Sequence, residues 1–564
     1  MNSAATNRRT GGQVLVDQLL VHGVELAFCI PGESYLAALD ALFDVRERIR
    51  LITCRHEANA ANMAEAYGKL TGKPGICFVT RGPGASHAYV GVHTAHQDSS
   101  PMILFVGQVA RETFEREAFQ EISVKDMFRG QCKWAVDVMD AARLPELVAR
   151  AFQVATSGRP GPVVIGLPED MLIDQVAVGD AMPFQAVRPA PAADDMVALR
   201  ALLVQAERPL VLFGGGGWTA AAAADLAAFC AANNLPAAAS LRCQDIMSSD
   251  DPHYVGDCNL AISPDLANTV KNADLLIVIG PRLGEITTQG YTLVEPPVPR
   301  QKLVHVHADS GELGRVYQAA LYINAGMAQF CAAARTLSAV DSAKWAAWTR
   351  QARADYEKAL VPGVMPGELD LAACVQHMQS VLPPEAIVTT DAGNFAGWIN
   401  RFWRFRKYRT LLGPTSGAMG YGLPASIAAK LARPDVPVIS FSGDGGILMS
   451  GSDLATAVQF GANVIAIVVN NGIYGTIRMY QERDYPNRYP GTTLQNPDFA
   501  AYARSFGAHG ETVTRTSDFA AAFDRALQAG KPAILELRID PEAISTRTTL
   551  SALRNAALAK QKSA

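Results

Sequence analysis

The sequence lacks a charge surplus of either sign and lacks any long uninterrupted apolar run. Its formal net charge is -4, and charged residues make up 18% of its 564 residues. Without a basic surplus, nucleic acid is not an expected partner. The alanine-rich stretch from Thr219 to Ala232 contains Asp225 and is too short to span a bilayer. We therefore expect no membrane segment.

Cysteine patterns typical of disulfide frameworks or metal sites are also missing. The nine cysteines are scattered, none forms a C-x-x-C pair, and their odd number argues against a secreted disulfide framework. They are expected to be buried small side chains in a reducing compartment. The N-terminal segment 1–12 is followed by Asp17, His22 and Glu25 rather than by an apolar core, so a signal peptide is not predicted. The predicted location is cytoplasmic.

The chain is too long for one core, and its pattern divides it into three blocks. Each block alternates short β-branched runs with longer alanine-rich helical patterns, which is typical of parallel sheets covered on both faces. The predicted fold class is α/β, with three doubly wound parallel-sheet domains at 1–185, 195–340 and 365–564. The first and third blocks share glycine turns after their strands, although no measurable repeat is present.

Two strand ends in the third block carry oxygen-bearing side chains. The run VPVISFSGD ends at Asp444 and is followed by two glycines, and the run VIAIVVNN ends at Asn471. Adjacent parallel strands would bring these oxygens to one edge of a sheet, where the glycine turn allows a diphosphate to approach and the oxygens ligate a hard cation. The alternative for either residue alone is an ordinary turn with an Asx side chain.

Longer motifs then carry a family resemblance over nearly the whole chain. They are RHEANAANMAEAYGKLTG at 55–72, AFQE at 118–121, SGRPGPVVIGLPED at 157–170, TTDAGNFAGW at 389–398 and GPTSGAMGYGLP at 413–424. In these motifs the chain resembles the thiamine diphosphate-dependent enzymes of the acetolactate synthase-like, large catalytic subunit type. The resemblance implies thiamine diphosphate and Mg²⁺ as cofactors, with pyrimidine-binding, central and diphosphate-binding domains in that order.

The resemblance also implies roles for individual residues. Glu57 would protonate the aminopyrimidine ring from one subunit, while Asp444, Asn471 and the Ile473 carbonyl would hold the metal in the other. Met419 would wedge the cofactor into a bent shape beside the Gly417 carbonyl. The cofactor-binding set implied in this way is Gly32, Glu57, Ala392, Gly393, Asn394, Gly417, Met419, Gly443, Asp444, Gly445, Gly446, Asn471, Ile473 and Tyr474.

A water-poor pocket lined by Gly32, Phe119 and Gln120 would favour loss of carbon dioxide, with Gln120 as a second catalytic residue. A site shared between chains makes a homodimer the smallest active unit. The resemblance implies a homotetramer. The residues themselves do not decide whether the oligomer is a dimer or a tetramer.

The chain departs from the acetolactate synthase pattern where the acceptor is chosen. Ile286, in GPRLGEI, stands where those enzymes carry an arginine for the acceptor carboxylate, so a bidentate contact is missing unless Arg282 replaces it. Tyr480 stands where a tryptophan is expected, and Phe395 where a histidine is. The segment YVGDCNLAIS replaces a methionine-histidine-glycine segment that contacts flavin, which makes FAD binding doubtful.

Two further patterns leave alternatives open. His87, His93 and His96 lie in one helical segment, where a catalytic role or a metal site competes with simple helix positions near a dimer contact. The glycines at 214–217 follow a strand, as in dinucleotide-binding turns, but they lack a clear G-x-G-x-x-G register. We favour a packing turn there.

The function predicted from the sequence is decarboxylation of a 2-oxo acid with carboligation to a carbonyl acceptor. The alternative is a thiamine diphosphate-dependent 2-oxo acid decarboxylase or 2-hydroxyacyl carbon–carbon lyase. The presence of Ile286 in place of the acceptor-binding arginine favours this alternative. A flavin-dependent oxidase and a non-catalytic sensor rank below these. The expected partners are a small-molecule 2-oxo acid and a carbonyl acceptor, and the closing tail after Ser545 is a candidate lid.

Overall fold

The computed structural model describes residues 8–563, which contain three six-stranded sheets and one short two-stranded pair. Every strand pair inside the three large sheets is parallel, and the central strands are fully buried, as in Leu275–Ile279. Helices cover both faces of a parallel sheet, so its central strands are buried on both sides and read as apolar runs. The predicted fold class of three parallel-sheet α/β domains is confirmed. Residues 1–7, part of the segment assessed for a signal peptide, lie outside the described residues.

By compactness the chain divides into two units, each described here by itself. The first comprises residues up to 187 together with 427–434 and 450–462, and the second comprises the remainder. Asp453 explains why a later segment groups with the first unit. Its buried carboxylate accepts hydrogen bonds from the Arg55 N–H at 2.9 Å and from Asn59 Nδ2 at 2.5 Å. These bonds fix the turn that precedes Glu57.

The first unit is built on a sheet in the order β3-β2-β4-β5-β7-β6, with β1 and β8 forming a separate antiparallel pair. Its core includes Phe78, Phe105 and Phe152, which lie between the sheet and the helices. The strands are β1 Arg9–Thr10, β2 Leu26–Cys29, β3 Arg50–Thr53, β4 Gly75–Val79, β5 Met102–Gln108, β6 Trp134–Asp137, β7 Pro162–Pro168 and β8 Gln175–Val176. The helices are α1 Gly11–Val21, α2 Leu36–Asp44, α3 Glu57–Thr71, α4 Gly82–Asp98, α5 Val124–Phe128, α6 Leu144–Thr156 and α7 Glu169–Ile173.

The second unit begins with a sheet in the order β11-β10-β9-β12-β13-β14. Trp345 is fully buried in its core and donates from Nε1 to the carbonyl of Asn233 at 3.1 Å, so the polar helical stretch around residue 350 packs on this sheet. The strands are β9 Pro209–Phe213, β10 Ala237–Ser240, β11 Tyr254–Cys258, β12 Leu275–Ile279, β13 Lys302–His307 and β14 Leu321–Asn324. The helices are α8 Ala193–Gln205, α9 Ala220–Ala232, α10 Pro264–Asn272, α11 Met327–Arg335 and α12 Ala346–Ala359.

The third sheet has the order β16-β15-β17-β18-β20-β19. Numbered from its own first strand, this order is 2-1-3-4-6-5, and the first sheet has the same order. The strands are β15 Ile387–Thr390, β16 Leu411–Leu412, β17 Val438–Gly443, β18 Ile465–Asn470, β19 His509–Val513 and β20 Ala533–Arg538. The helices are α13 Leu371–Val381, α14 Ala396–Phe402, α15 Gly422–Ala432, α16 Asp444–Ser450, α17 Leu454–Gln459, α18 Gly475–Asp484, α19 Phe499–Ser505, α20 Thr516–Gln528 and α21 Leu550–Ser563.

The last helix, α21, packs on α18. Arg554 donates to both oxygens of the buried Glu482 carboxylate at 2.8 and 2.6 Å, and Leu550 joins Ile473 and Ile544 in a small apolar cluster. The tail therefore lies against the helix that directly follows the Asn-Asn-Gly turn. Across the described residues, the helices include none that is both long enough and apolar enough to cross a membrane.

Candidate active site

The carboxyl ends of β17 and β18 place the predicted metal-binding side chains on one sheet edge. The two strands are parallel neighbours, and Gly443 pairs with Val469. Asp444 and Asn471 each follow directly after the last residue of their strand, Gly443 and Asn470. Asp444 Oδ2 accepts the backbone N–H of Gly472 at 2.9 Å, so the two turns are in direct contact. This edge combines a carboxylate with amide and carbonyl oxygens, the ligand types that Mg²⁺ prefers.

Asp444 is buried and saturated with hydrogen bonds. Its Oδ1 accepts the Gly445 N–H at 2.9 Å, and its Oδ2 also accepts from Asn496 Nδ2 at 2.8 Å. Burial raises the pKa of the Asp444 carboxyl, and the Asn496 and Gly445 hydrogen bonds partly counter that rise. A nearby positive charge stabilises the ionised form of a buried carboxyl group. A cation at this edge would thus offset the cost of ionising Asp444.

The turn after β17 leaves no room for side chains. A Cβ on Gly445 would lie 2.4 Å from the Tyr474 ring, and one on Gly446 would lie 2.3 Å from Asp391 Oδ2. A Cβ on Gly443 would lie 2.7 Å from the ring of Phe395. The glycines therefore let this turn lie close to its neighbours and keep its backbone accessible.

The turn after β15 joins the same edge. The Ala392 N–H donates to the Ala418 carbonyl at 3.2 Å, which places it beside the Met419 segment. Asn394 Oδ1 accepts from Thr476 Oγ1 at 2.9 Å on α18. Gly393 adopts a φ of 158° and packs against Phe395. Three turns, after β15, β17 and β18, thus converge.

The Met419 loop borders this convergence with its backbone exposed. Gly417 has a φ of 73°, and a Cβ on it would meet nothing within 4 Å. Met419 is half-buried, and Gly420 packs against Met449. Gly417 is exposed, so its carbonyl lies in an accessible part of the loop, with Met419 two residues later.

Glu57 lies in the first unit, at the first residue of α3 and directly after the β3 turn. His56 caps the helix, since its Nδ1 accepts the Ala58 N–H at 3.1 Å. Glu57 Oε2 lies 2.9 Å from His87 Nδ1 on α4. The carboxylate is largely buried, with 14% of the side chain exposed.

Of the other predicted residues of the first unit, Gly32 follows β2, whereas Phe119 and Gln120 lie in the loop between β5 and α5. A Cβ on Gly32 would lie 2.6 Å from Thr80 Cβ, so this position is closely packed. Gln120 has a φ of 65°, its carbonyl accepts the Gly82 N–H at 2.9 Å, and its buried Oε1 has no hydrogen-bond partner within the described residues. Phe119 is 74% exposed.

Comparison with known proteins decides the family. Models of the thiamine pyrophosphate enzyme match the chain in three places: the N-terminal TPP binding domain at 9–127, the central domain at 197–334 and the C-terminal TPP binding domain at 391–537. The chain is 32% identical to the acetolactate synthase large subunit of Parasynechococcus marenigrum (strain WH8102), over 96% of this chain and 89% of that protein. The chain belongs to the acetolactate synthase-like thiamine pyrophosphate enzymes.

Two other relatives extend this finding. The acetolactate synthase isozyme 2 large subunit of Escherichia coli (strain K12) is 32% identical over 94% of this chain and 95% of its own length. A probable acetolactate synthase large subunit of Methanocaldococcus jannaschii is 29% identical over 94% of this chain and 92% of its own length. As a member of this family, the chain is a thiamine pyrophosphate-dependent enzyme.

Ile286 and Tyr480, which the sequence predicts to differ from the acetolactate synthase pattern, lie in the second unit of this thiamine pyrophosphate enzyme. Arg282 and Ile286 are half-buried and follow the end of β12. Tyr480 is partly exposed on α18, with the Arg483 guanidinium 4.7 Å above its ring. Ile286 carries no group able to pair with a carboxylate.

The glycine run of this enzyme at 214–217 contributes to close packing. A Cβ on Gly214 would lie 1.9 Å from Ser240 Oγ, and one on Gly215 would lie 2.4 Å from the Gly280 carbonyl. Trp218 Nε1 donates back to the Gly214 carbonyl at 2.7 Å. The first two glycines thus allow the loops after β9 and β12 to touch, which agrees with a packing turn.

One residue at the candidate site of this family member was missed from the sequence. Asn496 donates to Asp444 Oδ2 and, at 3.0 Å, to Asn470 Oδ1, but it comes from a loop with no local signal of its own. His87 is named from the sequence as a candidate for a catalytic role, a metal site or a plain helix position. The structure adds its contact with Glu57.

Proposed function

We propose that the protein decarboxylates a 2-oxo acid and transfers the remaining acyl fragment to a carbonyl acceptor, using thiamine diphosphate and Mg²⁺. The observation that carries this proposal is the contact between the Asp444 turn and the Asn-Asn-Gly turn, through the 2.9 Å hydrogen bond from Gly472 to Asp444. The names of its relatives, which are acetolactate synthases, support the carboligation.

The donor set agrees with a hard cation bound by a diphosphate. We assign Asp444, Asn471 and the Ile473 carbonyl as the metal ligands, since all three offer oxygen. The close-packed glycines support a backbone cradle for the diphosphate. That cradle would consist of Ala392, Gly393, Asn394, Gly443, Gly445, Gly446 and the backbone of Tyr474.

When bound, thiamine diphosphate supplies the electron sink that makes loss of carbon dioxide from a 2-oxo acid feasible. Glu57 would exchange a proton with the aminopyrimidine ring, a role that its burial and its place after β3 support. The Gly417 carbonyl would accept a hydrogen bond from that ring, and Met419 would hold it in position. Gly32, Phe119 and Gln120 would limit water near the reacting carboxylate.

The second candidate is a decarboxylase or carbon–carbon lyase that uses the same cofactor. Ile286 favours it, because an aliphatic side chain cannot hold an acceptor carboxylate as an arginine does. Arg282, in the same loop, is the residue that we assign to this contact if the acceptor is an acid, with Tyr480 as a further substrate contact. The test below distinguishes the two outcomes.

We also propose that the active enzyme is a homodimer or a homotetramer located in the cytoplasm. Glu57 and Asp444 lie in different compact units, and a site completed between subunits would bring these two sets together. The nine free cysteines agree with a reducing compartment. The proposed domain limits are 1–185, 195–340 and 365–564.

The experiment is carbon dioxide release from a panel of 2-oxo acids, with thiamine diphosphate and Mg²⁺ present and products identified by mass spectrometry. Acetolactate from pyruvate is the expected result for the carboligase. Aldehyde release would move the assignment to a decarboxylase or lyase. No carbon dioxide from any 2-oxo acid, with cofactor bound, would contradict decarboxylation itself.

A further inference from the structure

Glu57 does not stand alone at the start of α3, because His87 on α4 holds one of its carboxylate oxygens. His87 Nδ1 lies 2.9 Å from Glu57 Oε2. With Glu57 ionised, its carboxylate can only accept hydrogen bonds, so Nδ1 of His87 would carry the proton and donate. This bond joins two helices of the first unit.

Close helix packing fixes the bond. A Cβ added to Gly91 would lie 2.4 Å from Ala61 Cβ, so α3 and α4 approach as closely as small residues allow. His87 precedes Gly91 by four residues and Glu57 precedes Ala61 by four residues, which places each on the same helix face as its small residue. The contact at Gly91 and Ala61 therefore brings His87 to Glu57.

The imidazole ring of His87 is also held from the side. Its centroid lies 4.6 Å from that of His56, with the ring planes 32° apart. His56 cannot rotate freely, because its Nδ1 caps α3 by accepting the Ala58 N–H. The second carboxylate oxygen, Glu57 Oε1, lies beside α4, 3.6 Å from the point where a Cβ of residue 84 would be, and glycine keeps a side chain out of that position. His87 thus binds one oxygen, and no side chain of residue 84 crowds the other.

We propose that His87 is a positioning residue for Glu57: it binds Oε2 and so leaves Oε1 in a fixed direction for the aminopyrimidine ring. This rests on the proposed function, in which Glu57 exchanges a proton with that ring. Proton transfer needs a donor and acceptor held in hydrogen-bond geometry, and a rotating carboxylate would spend little time there.

The same three side chains also have the composition of a metal site, since ligand atoms of His56, Glu57 and His87 lie within 4.8 Å of one another. One observation favours the positioning role. His56 Nδ1 already accepts the Ala58 N–H, so this nitrogen is not available to a metal.

The test measures hydrogen–deuterium exchange at the reactive carbon of bound thiamine diphosphate, together with cofactor affinity. Exchange is started by dilution into deuterated water, stopped with acid and read by NMR. Three variants are compared: His87→Asn, His87→Gln and His87→Ala. The amide nitrogen of asparagine is as many bonds from Cα as Nδ1 is, whereas that of glutamine corresponds to Nε2. We expect exchange about tenfold slower in His87→Ala and His87→Gln, and close to the wild-type rate in His87→Asn, with cofactor affinity changed little.

His93 provides the matched control. It lies on the same helix and its Nδ1 contacts Gln131 Oε1 at 2.8 Å, away from Glu57. His93→Asn should leave the exchange rate unchanged. Wild-type exchange in His87→Ala, or equal slowing in all three His87 variants, would overturn the proposal. One equivalent of transition metal in the purified protein that is lost in His87→Asn would assign the cluster to a metal and also overturn it. If the wild-type protein binds the cofactor without accelerating exchange, the proposed function itself fails.

Discussion

Asp391 is a buried carboxyl group whose ionisation weakens the fold, and replacing it by asparagine measures that cost. The residue is 1% exposed, and the Gly422 N–H donates to its Oδ1 while its Oδ2 has no hydrogen-bond partner in the part of the chain that is described. Burial raises the pKa of Asp391 from 3.8 to about 6. At neutral pH the folded protein therefore holds an ionised carboxylate in a site that favours the protonated, neutral carboxyl group.

The magnitude follows from that shift. A rise of roughly two pKa units corresponds to about 3 kcal/mol between the two protonation states. Between pH 4 and pH 6 the folded chain keeps a proton that the unfolded chain has released, so the contribution of this carboxyl to stability falls as pH rises and is lost above the folded pKa. Asparagine cannot ionise, so Asp391→Asn should gain stability relative to the wild type at pH 8 and not at pH 4. We expect a gain of about 1 to 3 kcal/mol.

The assay is urea unfolding of the cofactor-free protein, followed by tryptophan fluorescence at several pH values. The quantity compared is the difference in unfolding midpoint between variant and wild type, because a chain of several domains need not unfold in one step. Asp435→Asn makes the same chemical change at an exposed position of the same unit and should show no such trend. A variant that tracks the wild type at every pH, or that loses stability at pH 8, would refute the reasoning.

The remaining predictions concern the active site and the tail. Glu57→Gln should keep cofactor and metal binding but lower turnover by about a hundredfold, because a positioned proton-transfer group is lost; unchanged turnover in steady-state kinetics would contradict its role. Asp444→Ala should weaken Mg²⁺-dependent binding of thiamine diphosphate measured by calorimetry, and equal affinity in both proteins would argue against a metal ligand there. Arg554→Met leaves the Glu482 carboxylate buried without its partner, at a local cost of roughly 1 to 3 kcal/mol. Hydrogen exchange in residues 550–563 should then accelerate, and adding Glu482→Gln should restore part of the protection.

The sequence predicts the buried strands well and the edge strands poorly, for a physical reason. Apolar runs mark β17 and β18, because both of their faces are covered. The strand β6 is half-buried throughout and β14 alternates with exposed residues, so neither forms an apolar run and both were missed. The strand β11 was considered only as a segment that replaces a flavin contact, since Gly256 and Asp257 interrupt its apolar pattern.

The candidate site likewise contains residues that the sequence predicts and residues that only the folded chain reveals. Asp444 and Asn471 are predictable because a residue that ends a parallel strand has a known place at the sheet edge. Asn496 is separated from Asp444 by 52 residues and lies in a loop, so only the folded chain reveals its contact. The His87 contact depends on how closely α3 and α4 approach each other. The small residues Ala61 and Gly91 permit this approach, but their presence in the sequence does not predict it.

The hydrogen bonds around Asp444 have a consequence for how the proposed Mg²⁺ would bind. Both carboxylate oxygens are already engaged, by the backbone of Gly445 and Gly472 and by Asn496. These hydrogen bonds come from the protein itself and hold the turn after β17 in one shape. The proposed Mg²⁺ would then exchange donors at Asp444 Oδ2 rather than organise the turn, so repeated removal and return of Mg²⁺ should leave this edge of the sheet intact.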